Sequence, residues 1–216
     1  MNDRQRLSDN IRKLVRFKDY SSNKLTRETL KMFTLSKQRT WILLFLFLIL
    51  FLITKFILFD EKTAVEIIAN LTNILNSILT PMFAVIITGY AIFQAIANES
   101  TLLVLLKVTH KDDESKFAVY NKYFYGIAIL YLSLTIINMV MQFIFSNLSK
   151  EWFLPIFNNH YNESIAAVLI SLYLVVIINA LIELKSFTYN LFQVFVTSTA
   201  STGINALEKM SDEKKE

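Results

Sequence analysis

Cysteine is absent from this chain of 216 residues, and glycine and proline number only three and two. Without cysteine there are no disulfides, thiolate metal sites or thiol nucleophiles, and the redox compartment stays open. Three glycines cannot build a phosphate cradle, and neither a glycine-rich nucleotide loop nor a zinc-binding helix motif occurs. Histidine is nearly as scarce: His110 and His160 lie far apart, which argues against a histidine metal cluster within one chain.

Apolar residues, by contrast, make up 54% of the chain and gather in four blocks, where a soluble domain is usually about 45–50% apolar and evenly mixed. The expected fold is all-α: a polytopic membrane protein with four transmembrane helices, the second and fourth extending beyond the bilayer. Three regions follow: a basic arm over 1–40, a four-helix membrane domain over 41–184, and an amphipathic helix with a charged tail over 185–216. Trp41–Phe59 is the clearest span, since 16 of its 19 residues are Leu, Ile or Phe. At roughly 0.3–0.6 kcal/mol each, these favour insertion by about 5–10 kcal/mol, more than the ~3 kcal/mol that Lys55 costs even at the bilayer centre. Lys55 lies four residues from Phe59, so its amine is expected to snorkel to the interface.

The stretch Thr63–Asn98 organises the rest. At helical spacing it carries Glu66, Asn70, Asn73, Ser77, Thr80, Ala84, Thr88, Ala91 and Ala95 on one face. Ile67, Ile68, Leu71, Ile74, Leu75, Ile78, Leu79, Phe83, Ile86 and Ile87 occupy the other, suited to lipid or to apolar helices. Hydrocarbon leaves amides unsatisfied, so the polar and small face must meet a neighbouring helix or water. These nine residues are therefore the pore-lining candidates. Pro81 removes a backbone donor within this helix and tends to kink it.

The third span runs over Tyr123–Phe145 with Asn138 and Gln142 one turn apart. The fourth begins near Ile165 and is expected to continue to about Thr202, with Gly203 as its terminator. Along it Asn179, Glu183, Ser186, Asn190, Gln193, Thr197 and Ser201 form a polar line beside an apolar stripe of Leu184, Phe187, Leu191 and Phe195. Asn138, Gln142, Asn179 and Glu183 are the expected polar contacts between helices. Between the second and third spans, Leu102–Leu106 reads as a short interfacial helix. His110–Lys116, with Asp112, Asp113 and Glu114, reads as a solvated loop and not a metal site.

In the arm, Leu7, Ile11, Leu14, Val15 and Lys18 follow a helical line surrounded by Arg4, Arg6, Arg12, Lys13 and Arg16. These cations are candidates for binding an anionic lipid surface or ligand, each contributing about 1 kcal/mol at a leaflet; a plain topology signal explains them equally well. A second short helix is expected after a Thr26 cap. Lys and Arg fall 19 of 22 on one side of the four spans, so both termini are expected in the cytoplasm of an inner-membrane, multi-pass protein. The only ionisable residues within the spans are Lys55 and Glu183, both near span ends. An intramembrane enzyme would need an ionisable pair at depth, so no enzymatic activity and no cofactor are expected. Two classes remain. Copies can assemble around the polar face as a pore, or the spans can anchor a scaffold that recruits a cytoplasmic partner protein.

YAIFQAIANESTLLVLL (Tyr90–Leu106) and SKFAVYNKYFYG (Ser115–Gly126) resemble segments of small four-span membrane effectors of bacterial antiviral defence, of the Hailong or cyclic-oligonucleotide type. The resemblance implies an oligomeric channel that depolarises an infected cell and is held closed until a nucleotide or oligonucleotide signal changes. The implied partners are the bilayer, further copies of the chain and that signal.

Overall fold

The computed structural model describes residues 3–97, 99–109 and 114–213, and among these no strand forms beyond an isolated bridge between Thr109 and Ser115. His110, Asp112 and Asp113 lie outside the described residues. Seven helices follow in order: α1 (Asp3–Val15), α2 (Ser22–Leu30), α3 (Lys37–Glu61), α4 (Ala64–Ile96), α5 (Glu99–Lys107), α6 (Lys116–Asn147) and α7 (Asn159–Glu213). Four of them, α3, α4, α6 and α7, are long and apolar enough to cross a membrane.

Helix starts follow from capping chemistry. Ser36 Oγ accepts the Arg39 N–H at 3.3 Å and opens α3, while Thr63 and Glu66 form a reciprocal capping box at 3.2–3.3 Å ahead of α4. The cap of α2 is Ser21, which accepts from Lys24 N at 3.3 Å. Thr26 sits inside α2, one correction to the expected helix start. Gly203 does not end α7, which runs to Glu213; a glycine within a helix costs only about 1 kcal/mol, and the helix formers after it carry the turn on. Pro81 likewise lies inside α4 without ending it.

The chain forms two packed units; one of their boundaries falls between α2 and α3 and the other three inside α4, α6 and α7. One combines Thr34–Ala84 with Leu130–Leu184. Its core sets Ile67 and Ile68 of α4 against Ile170 of α7, with Leu58, Phe59, Leu71, Met141, Phe145 and Leu174 around them. α3 is apolar on every side and keeps only Leu43 and Thr54 buried, as suits a helix bathed in hydrocarbon. Its turn at Thr54–Leu58 widens to π geometry. There Lys55 Nζ lies 3.1 Å from Glu163 of α7 and is only 11% exposed. The amine expected to snorkel toward the span end meets a carboxylate that stands just ahead of the expected fourth span.

The other unit combines the described parts of Met1–Phe33, Val85–Ile129 and Lys185–Glu216. Phe93, Phe124 and Phe187 meet at its centre, with ring centroids 4.9 and 5.4 Å apart, each such pair adding about 0.5–1.5 kcal/mol beyond burial. Phe187 lies over Gly89, where a Cβ would come within 2.3 Å of its ring. The arm is docked in this unit and not loose: Asn10 donates to the Leu106 carbonyl at 2.7 Å and Thr29 is fully buried. A Cβ on Gly126 would lie 2.9 Å from Phe33 and 3.0 Å from Thr29. Gly126→Val is therefore expected to loosen α2 at a cost of about 1–3 kcal/mol. Faster tryptic cleavage after Lys24 and Arg27, with cleavage after Lys209 unchanged, would show it.

Candidate functional site

The two sides of α4 are treated differently. Within Thr34–Ala84, its Val65, Ile67, Ile68, Leu75 and Leu79 are buried, whereas Asn70, Asn73, Ser77, Thr80 and Ala84 stand exposed on the surface of the chain. Within Val85–Ile129, Ile86 and Phe93 are buried, and Thr88, Ala91 and Ala95 are exposed. Much of the apolar side thus serves as core. Ile74 and Ile87, expected on that side, are exposed, because each falls between the two faces and the core reaches only part of the way round.

Glu66, the ionisable member of the nine, is half-buried and ion-paired to Lys150 at 2.8 Å. The carboxylate, first by its hydrogen bond and then by its charge, raises the pKa of the Lys150 ammonium above the ordinary lysine range. The pair is accordingly intact at neutral pH; its contribution fades as pH climbs through that raised value, and also when pH falls far enough to protonate the Glu66 carboxylate. It stands in the wall of a partly open cavity of about 730 Å³ that also includes Phe59, Phe145, Trp152 and Glu163.

Behind the polar face runs a chain of amides. Tyr173 Oη donates to Asn138 Oδ1 at 2.6 Å, and Asn138 Nδ2 donates to the Thr72 carbonyl at 2.9 Å and to Asn76 Oδ1 at 2.6 Å. Asn76 in turn donates to Gln142, whose Nε2 reaches Asn73 Oδ1 at 3.3 Å. Fully buried Asn138 is thereby satisfied from α4 and α7 together, and the chain surfaces at Asn73, a member of the exposed face. Asn138 Nδ2 spends its two N–H groups on two acceptors of α4, so the network sets the rotation of α4 about its own axis as well as its depth. Asn76 and Tyr173 were not singled out from the sequence. Asn76 lies between the two faces of α4, and only its distance of three residues from Asn73 hinted at a polar patch wider than one stripe.

Arg39 falls by sequence position in the basic arm expected over 1–40. The Ser36 cap places it within α3, where its guanidinium pairs with buried Glu183 and donates to the Asn179 carbonyl at 2.9 Å. Asn179 thus engages another helix through its backbone; its side-chain oxygen has no hydrogen-bond partner among the described residues. At the next carbonyl along α7, that of Ala180, Tyr131 Oη donates at 2.8 Å.

α7 inverts the pattern of α4. Its polar line turns partly inward, with Glu183 and Ser201 buried, and Ser201 bonded to Ser100 and Thr101 at 3.3 Å. The stripe expected to be continuous divides: Phe187 is buried, Leu184 and Leu191 are half-buried, and Phe195 is exposed. In the arm, Arg4, Arg6, Arg12 and Arg16 are exposed and Lys13 is half-buried. The described residues contain no group of three His, Asp or Glu placed to hold a metal ion. No protein-family model, curated protein or solved structure matches this chain.

Proposed function

We propose that the chain crosses a bacterial inner membrane four times with both termini in the cytoplasm. Copies of it assemble with the outward face of α4 around a water-filled conduit that depolarises the membrane when open. One observation carries this reading: in a helix apolar enough to span, Asn70, Asn73, Ser77 and Thr80 stand exposed at the surface while much of the apolar side is consumed as core. Polar groups on a lipid-facing surface cost several kcal/mol each, so that face requires water or another chain. Hydroxyls and amides at helical spacing suit a wet lining, because they replace part of an ion's hydration shell without binding it tightly. The resemblance to antiviral effectors supports a nucleotide signal as the trigger. The excess of basic residues on one side supports the orientation.

Since the chain has no cysteine of its own, the reading is tested with single cysteines in protein reconstituted into vesicles. A charged thiol reagent is expected to cut ion flux through Asn73→Cys, Ser77→Cys and Thr80→Cys by about tenfold or more, as a charge placed in a narrow lining does. The same reagent should leave Leu75→Cys and Leu79→Cys, in the core, untouched. A chain that stays monomeric and carries no flux would overturn the conduit in favour of an anchor that recruits a cytoplasmic protein.

A further inference from the structure

The docked arm divides its own apolar residues. Leu7, Asn10 and Leu14 turn toward the unit, half-buried or buried, and Asn10 fixes the helix to the Leu106 carbonyl at 2.7 Å. Ile11 and Val15 are left outside, 41% and 59% exposed. At helical spacing they share a face with Arg4, Ser8 and Arg12, and Arg16 and Lys18 follow at once in an exposed 3-10 turn. Among the described side chains of α1 and that turn, the acidic groups are Asp9, on the flank of α1, and Asp19, at the end of the turn; both are exposed.

We infer that this face of α1 seats on a bilayer surface rich in anionic phospholipid, with Ile11 and Val15 entering the headgroup boundary and Arg4, Arg12 and Arg16 taking the phosphates. The arginines alone would suit any phosphate. Two exposed branched apolar side chains set between them decide the class, because a soluble nucleotide offers them nothing, whereas the acyl boundary takes them out of water. The docking contact strengthens the case: with Asn10 held from within, the helix cannot roll to hide Ile11 and Val15, so the amphipathic surface exists before any lipid arrives. Each arginine near an anionic surface raises the partition by about fivefold, and three together by about a hundredfold. The inference rests on the chain being inserted in a membrane, and not on the conduit.

An environment-sensitive dye on Val15→Cys in the full chain, reconstituted into vesicles, reads the contact. In vesicles of phosphatidylcholine and phosphatidylglycerol the dye is expected to shift to the blue and to be quenched by brominated acyl chains. In phosphatidylcholine alone it should stay water-like. The triple variant Arg4→Gln, Arg12→Gln, Arg16→Gln should lose the anionic response by about a hundredfold in the lipid fraction needed. A dye that stays in water in anionic vesicles would overturn the inference. So would burial that ignores headgroup charge, which would mark a second copy of the chain, or a blue shift evoked in neutral vesicles by a soluble oligonucleotide. Ion flux measured on the same vesicles reports on the conduit separately, so either reading can fail without the other.

Discussion

Replacing Arg39 by methionine is expected to destabilise the protein by about 3–5 kcal/mol, the cost of leaving a buried carboxylate without its cation. Glu183 is 8% exposed on its side chain and accepts from Arg39, whose second terminal nitrogen holds the Asn179 carbonyl at 2.9 Å. Methionine fills a similar volume but donates to neither. The double variant Arg39→Met, Glu183→Met should recover most of the loss, because a buried ion pair is often no better than an apolar pair of the same size. Thermal denaturation of the detergent-solubilised protein, followed by size-exclusion chromatography, decides it. An Arg39→Met protein as stable as wild type would mean that the pair is hydrated and contributes little.

Ala84→Leu and Thr88→Leu are expected to leave expression and oligomer size intact while reducing depolarisation at least about tenfold, since bulky apolar side chains dewet a narrow lining. Both positions are exposed on α4. Phe83→Ala, on a half-buried side of the helix, should retain the activity. Against a packed neighbour the same leucines would instead overfill a tight interface and weaken assembly by about 1–3 kcal/mol. Loss of the oligomer in the leucine variants would therefore place another helix, and not water, against this face. Measuring membrane potential in cells that overproduce each variant, alongside oligomer size, separates the two.

The number, order and approximate limits of the long helices were legible in the amino-acid sequence, because insertion energies sum along the chain. α4 was expected from Thr63 and begins at Ala64, and α6 and α7 enclose the expected third and fourth spans. Local signals also misled where two of them competed. Gly203 looked like a terminator, but a C-cap needs the chain to turn left-handed there, and the residues after it favour helix. Arg39 was counted with ten other cations of the arm because composition averages over a window, whereas a single cap three residues earlier had already placed it in the helix.

What the sequence by itself determined is that α4 has a polar face and an apolar face, and that α7 carries a polar line beside an apolar stripe. Helical periodicity sets which residues lie together and is silent on what they meet. Tertiary structure decided that the apolar face of α4 turns inward onto Ile170 while its polar face stays out, and that the polar line of α7 turns inward at Glu183 and Ser201 while Phe195 stays out. The reason is that burying a polar side chain costs least where a partner waits for it. Arg39 for Glu183, and Ser100 and Thr101 for Ser201, come from segments about 100 residues or more away in the chain.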